Sequence, residues 1–134
     1  MNLLRQITKK QYNIALVIWT IIVLTLLLIP SSSFSHTPKL INIPHSDKFA
    51  HFILFGVLSF LLFKNMEFIK KKLFLNIYLL NILYIFLFGL LTETLQGLMY
   101  NTAKRNFSLG DLAFDTLASI TVMCIMFALN KRKK

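Results

Sequence analysis

Long apolar blocks, separated by short polar stretches, organise this chain. Four blocks stand out, at residues 13–30, 49–63, 73–100 and 109–129. A helix that crosses a bilayer needs roughly 20 mostly apolar residues, with about 17 tolerated. The first, third and fourth blocks meet that length directly. The second meets it if its helix begins near Ser46 and takes Asp47, Lys48 and His51 into its outer turns, with Pro44 just before the start. The pattern predicts spans at about 12–30, 46–63, 73–100 and 108–129 in a chain of 134 residues. The fold class it implies is all-α, a four-helix transmembrane bundle forming one membrane domain. The third block is longer than a bilayer requires, which calls for tilt or for a bend near Gly89 or Gly97.

Composition agrees, since 56% of residues are hydrophobic and only 15% are charged, outside the range of an ordinary soluble domain. The net charge of +10 changes the picture through its distribution. Arg5, Lys9 and Lys10 precede the first block. Lys64, Lys70, Lys71 and Lys72 lie between the second and third, and Lys131, Arg132, Lys133 and Lys134 end the chain. All of these fall on one side of a four-span arrangement, and only Lys39, Lys48, Lys104 and Arg105 fall on the other. The positive-inside rule then places both termini in the cytoplasm. No basic-aromatic nucleic-acid motif accompanies the charge, so membrane lipids rather than nucleic acid are the expected partners. A basic start followed by an apolar run also describes a signal peptide. Here the run exceeds the usual length and no A-x-A-like site follows, so an uncleaved first helix is expected. The lone Cys124 lies deep in the last block, which rules out a disulfide framework.

With this topology the polar residues inside the blocks can be placed by depth. At about 1.5 Å per residue, His51 lies roughly 7 Å inside the start of its helix. Glu93 lies roughly 10 Å before Tyr100, and Asp115 roughly 10 Å after Ser108, at the same rise. Three ionisable groups from three helices thus share one depth in the outer leaflet. Asp47 and His51 are spaced i, i+4, Glu93 and Gln96 i, i+3, and Asp111 and Asp115 i, i+4, so each pair occupies one helix face. Thr92 adds a hydroxyl beside Glu93. Ordinary structural roles account for several of these positions. Asp47 suits the first turn of a helix, Ser108-x-x-Asp111 is close to a capping box, Lys48 and Lys104 can reach the interface along their stems, and Gln96 can bond helix to helix. Glu93, His51 and Asp115 have no such role. A charge at mid-depth costs at least ~2.5 kcal/mol, and ionisable groups there usually mark a site.

Asp47-Lys48-x-x-His51 opening the second span, Glu93-x-x-Gln96 late in the third and Arg105-x-x-Ser108-x-x-Asp111 entering the fourth resemble the VanZ-like family. The resemblance runs over roughly residues 46–126. It implies a small bacterial integral membrane protein in the cytoplasmic membrane, with Asp47, Lys48, His51, Glu93, Gln96, Arg105, Ser108 and Asp111 as matched positions. The family's founding member is associated with reduced susceptibility to the glycopeptide teicoplanin. This chain departs from the family pattern in carrying Asp115 where Asn is usual and Ser119 where Gly is usual.

Three kinds of chemistry follow for the cluster. The first is recognition of an anionic or amphiphilic envelope molecule: a lipid headgroup, a lipid-linked glycan or a glycopeptide-type ligand. Asp47, Lys48, Gln96, Arg105, Ser108, Asp111 and Asp115 would contact it, Arg105 in bidentate fashion. The second is an intramembrane lipid-modifying enzyme with Glu93 and His51 as acid and base. No convincing nucleophile accompanies them. The third is a purely structural polar network, for instance Glu93 paired with Arg105. A proton-coupled relay for transport ranks below these, since four short spans leave little room. A metal-assisted site would use His51, Glu93, Asp111 and Asp115 around Mg or Zn. With no HExxH and no second histidine at i, i+4, the sequence by itself implies no resident metal or other cofactor.

Overall fold

The computed structural model describes residues 9–29, 46–69, 76–103 and 106–132, and every regular element among them is helical. They are α1 (Lys9–Leu28), α2 (Ser46–Ile69), α3 (Ile77–Leu98), the single turn α4 (Tyr100–Ala103) and α5 (Leu109–Lys131). The four long helices are each long and apolar enough to cross a membrane.

Two helices differ most from the sequence expectation. The second helix does not stop at Phe63 but continues to Ile69. Its polar end holds helical form because Lys64 pairs with Glu67 one turn on at 2.8 Å. Asn65 also donates to the carbonyls of Leu61 and, across to α1, Tyr12. The third helix is shorter than its block. Asn76 caps its start, the side chain accepting from the Tyr78 amide; residues 73–75 lie outside the described segments. At the other end α3 closes at Leu98, and Tyr100 belongs to α4. The 22 residues of α3 span about 33 Å at 1.5 Å each, close to the bilayer's hydrocarbon thickness. The excess apolar length is thus taken up by a chain turn after Leu98, and α3 runs unbroken through Gly89. Shifts at α1 and α5 are a few residues, with Ser108 serving as the N-cap of α5.

Helices α2 and α5 pack on each other most extensively, α3 lies against both, and α1 joins through α2 and less through α3. The interior is built from Val23, Leu27, Phe55, Leu58, Leu62, Ile85 and Ala118, with Phe63, Ile77, Met123 and Met126 filling the opposite end. Large apolar residues such as Ile18, Leu79, Leu91 and Phe127 face outward. Cys124 is exposed as well. In lipid such burial does not drive helix association, so close packing and interhelical hydrogen bonds must hold the bundle. Both are present. Gly56 of α2 meets Ala118 and Val122 of α5, while Gly89 of α3 meets Leu112 and Asp115. The Trp19 indole donates to the Leu54 carbonyl at 2.9 Å.

Midway along the bundle, α2, α3 and α5 share a buried hydrogen-bond triangle. The Ser59 and Ser119 hydroxyls reach the Asn81 carbonyl oxygen at 2.6 Å and 3.1 Å, and the Asn81 amide donates to the Ser59 backbone carbonyl at 2.9 Å. Ser119, the larger residue at a position where a glycine would only permit close approach, thus contributes a bond as well as bulk.

Candidate functional site

One end of the bundle gathers the start of α2, the end of α3 and the start of α5. His51 lies in the second turn of α2, Glu93 in the last turns of α3 and Asp115 in the second turn of α5. Their side chains meet. His51 Nδ1 lies 2.9 Å from Asp115 Oδ1 and 3.9 Å from Glu93 Oε1, and all three residues are 0–1% exposed. Gly89 makes the approach of α5 possible, because a Cβ there would sit 3.0 Å from Asp115 Oδ2. The imidazole of His51 lies parallel to the buried Phe55 ring, which closes the inner side of the cluster.

Glu93 also reaches the backbone. Its Oε2 accepts the Ser108 amide at 2.8 Å, and Ser108 Oγ in turn accepts the Asp111 amide at 3.2 Å. The first turn of a helix leaves amides without partners and carries partial positive charge. A carboxylate from α3 therefore helps to cap α5 from outside. Nearer the surface, Lys48 Nζ pairs with Asp111 Oδ1 at 3.3 Å, the side chains being 29% and 9% exposed. Gly110 makes room for that amine, since a Cβ at this position would stand 2.6 Å from Nζ. Phe114 lies beneath the same amine.

Hydrogen bonds among the described residues do not satisfy the cluster. Among the described residues, His51 Nε2, Glu93 Oε1 and Asp115 Oδ2 are buried without a hydrogen-bond partner. Buried polar atoms are rarely left so, and each such case points to a role or a missing partner. Two sets of potential ligand atoms lie within 4.8 Å of one another: His51, Glu93 and Asp115, and Asp47, His51 and Asp111.

Of the residues expected from sequence, the structure gathers His51, Glu93, Asp115, Ser108, Asp111, Lys48 and, at the exposed edge, Asp47. Gln96 is not among them. Its amide donates to the Leu27 carbonyl at 2.9 Å and ties α3 to the last turn of α1. Thr92 bonds within its own helix, to the Gly89 carbonyl. Lys104 and Arg105 lie outside the described residues. The two glycines that shape the site, Gly89 and Gly110, were not picked out as site residues by sequence reasoning. Their signal was position, four residues before Glu93 and immediately before Asp111.

A family model described as VanZ/LLP1 matches residues 4–130, nearly the whole chain. The protein belongs to the VanZ/LLP1 family. No curated protein and no solved structure matches it. With four helices able to cross a bilayer, this VanZ/LLP1 protein is a multi-pass membrane protein, and its outward apolar residues face lipid. In this VanZ/LLP1 chain the histidine and the two carboxylates sit within an apolar shell, a setting that strengthens every electrostatic contact among them.

Proposed function

We propose that this end of the bundle binds the polar headgroup of an envelope amphiphile. The observation that carries the reading is a neighbouring pair of features at the start of α5. One is the polar cluster with Lys48 at its exposed edge. The other is an open apolar groove of about 400 Å³ lined by Phe86 of α3 and by Leu109, Leu112, Ala113, Thr116, Leu117 and Ile120 of α5. An amphiphile needs both, an apolar channel for its chain and polar groups for its head. At that edge the partly exposed Lys48 supplies a cation that an anionic headgroup would share with Asp111.

Binding can be measured in nanodiscs by competition of phosphatidylglycerol, a lipid-linked pyrophosphate glycan and teicoplanin against a fluorescent anionic lipid. Lys48→Ala should weaken binding of the preferred anionic ligand about tenfold, as the loss of one charge-assisted contact. Ala113→Phe should weaken it by filling the groove. Equal affinity of both variants and wild type for every probe would refute the reading.

Orientation belongs to the same proposal, with both termini in the cytoplasm and the cluster in the outer half of a bacterial cytoplasmic membrane. In a Cys124→Ser background, single cysteines at positions 37 and 101 should label from outside intact cells, and one at position 65 should not. Labelling at 65 from outside would invert the arrangement.

A second reading rests on a different observation. Asp115 holds one nitrogen of His51 while the other has no hydrogen-bond partner, the posture of a base oriented by a carboxylate. In an intramembrane lipid-modifying enzyme Glu93 and His51 would then exchange protons with the bound headgroup. Accumulation of one lipid precursor in cells carrying Glu93→Gln or His51→Ala would favour catalysis, and an unchanged lipid profile would favour binding alone.

A further inference from the structure

We propose that His51, Glu93 and Asp115 hold one divalent transition-metal cation of the Zn2+ or Mn2+ class. Three independent features of the cluster converge on it.

The first is spacing. Ligands placed about 2.1 Å from one ion stand about 3.0–3.4 Å from each other in octahedral or tetrahedral geometry. His51 Nδ1 and Asp115 Oδ1 are 2.9 Å apart, and His51 Nδ1 and Glu93 Oε1 are 3.9 Å apart. The shorter distance suits two ligands of one ion as well as it suits a hydrogen bond. The longer one closes with a small rotation of the Glu93 carboxylate about its fixed contact to Ser108.

The second is the set of unpartnered atoms. Glu93 Oε1 and Asp115 Oδ2 are buried without hydrogen-bond partners among the described residues, and both carboxylates belong to residues with 0% exposure. The other oxygen of Glu93 is engaged by the Ser108 amide, while Asp115 Oδ1, beside His51 Nδ1, is the oxygen placed to share an ion with it. For Glu93, anchoring one oxygen while the other faces His51 Nδ1 at 3.9 Å is what supporting contacts do for a metal-ligating carboxylate.

The third is charge. Two buried carboxylates face one imidazole, and among the described residues the lysine at the site, Lys48, is engaged with Asp111 at the surface. A divalent ion neutralises two carboxylates within the cluster itself, where an uncompensated charge is costly. One imidazole with two carboxylates is a mixed nitrogen and oxygen donor set. It suits Zn2+ or Mn2+ better than Ca2+, which takes oxygen ligands only. Three protein ligands leave a coordination position open, as in reactive rather than structural sites. The alternative set of Asp47, His51 and Asp111 is set aside because Asp111 is already paired with Lys48. Metal binding here stands apart from headgroup recognition, for the ion needs no amphiphile and Lys48 and the groove need no ion.

The test uses the full-length protein purified in detergent, stripped with chelator, loaded with Zn2+ or Mn2+ and desalted before elemental analysis. Wild type should retain about one ion per chain of at least one of the two metals. His51→Ala, Glu93→Gln and Asp115→Asn should retain less than about a tenth of that, and Ser59→Ala, a buried polar change elsewhere on α2, should retain all of it. Wild type loaded with Co2+ gives a reading that needs no variant, since coordination by nitrogen and oxygen should produce visible ligand-field bands that Zn2+ abolishes. A wild-type chain that keeps neither metal and shows no cobalt bands overturns the proposal, as does full retention by all three ligand variants. The anionic-lipid assay run on the stripped protein separates the two ideas, because binding that survives stripping leaves recognition standing when metal binding has failed.

Discussion

Gly89→Leu should prevent this protein from assembling, and Gly89→Ala should lower its unfolding free energy by about 1–3 kcal/mol, the usual range for overpacking a close helix contact. The reason is local. A Cβ at position 89 would stand 3.0 Å from Asp115 Oδ2 and 3.1 Å from Leu112 Cδ1. Asp115 cannot swing away, because its other oxygen is held at 2.9 Å by His51. For alanine the Asp115 and Leu112 side chains must give by a few tenths of an ångström against that contact; leucine cannot be fitted that way and would separate α3 from α5, pulling Glu93 from the Ser108 amide. Gly56→Ala is the matched control. Its Cβ would meet Ala118 at an ordinary 3.9 Å, so the gain in helix propensity, up to about 1 kcal/mol, is free to appear. Reversible unfolding in mixed detergent and SDS micelles, followed by circular dichroism, measures both. Equal effects of alanine at 56 and at 89 would contradict the geometry.

Asn81→Ala should be the most damaging polar truncation in the middle of the bundle, at about 2–4 kcal/mol. Asn81 accepts from two hydroxyls and donates to one carbonyl. Interhelical hydrogen bonds in lipid average ≈ 0.6 kcal/mol and reach ≈ 1.7, and truncation here takes the shared acceptor from two buried hydroxyls, leaving them only their 3.2 Å contact with each other. The signature is non-additivity. In a Ser59→Ala/Ser119→Ala background those hydroxyls are gone, and the Asn81→Ala penalty should fall below about 1 kcal/mol. The same unfolding assay applied to the four chains gives the coupling. A penalty that is undiminished in the double-alanine background would mean the triangle is not what stabilises this layer.

Much of this architecture was legible from the order of apolar and polar residues alone. The four spans follow from block length, and the meeting of His51, Glu93 and Asp115 follows from helical rise and pairwise spacing. Depth is a one-dimensional quantity that a sequence encodes directly. Partner choice around the helix axis is not. Glu93 and Gln96 share a face by spacing, yet the three-residue step carries Glu93 to α5 and Gln96 to the last turn of α1. Asn81 and Ser59 looked unremarkable among apolar neighbours, because neither is charged and their bonds, with Ser119, run between three helices. The turn after Leu98 was hidden for another reason. Leu98, Met99 and Tyr100 continue the hydrophobic pattern, and only the backbone shows that Met99 ends α3, its amide reaching back to the carbonyls of Leu95 and Gln96.

Gly110 has a consequence for how the cluster exchanges with its surroundings. Lacking a side chain, it allows the Lys48 amine to lie across the first turn of α5 and meet Asp111. Among the described residues, the surface edge of the site is therefore crossed by one long side chain, held there by its pairing with Asp111. Rotation of such a side chain takes picoseconds to nanoseconds, whereas displacing a helix takes microseconds or longer. A bulkier residue at 110 would push that amine, the far end of a flexible side chain, aside from the first turn of α5 and lengthen its contact with Asp111.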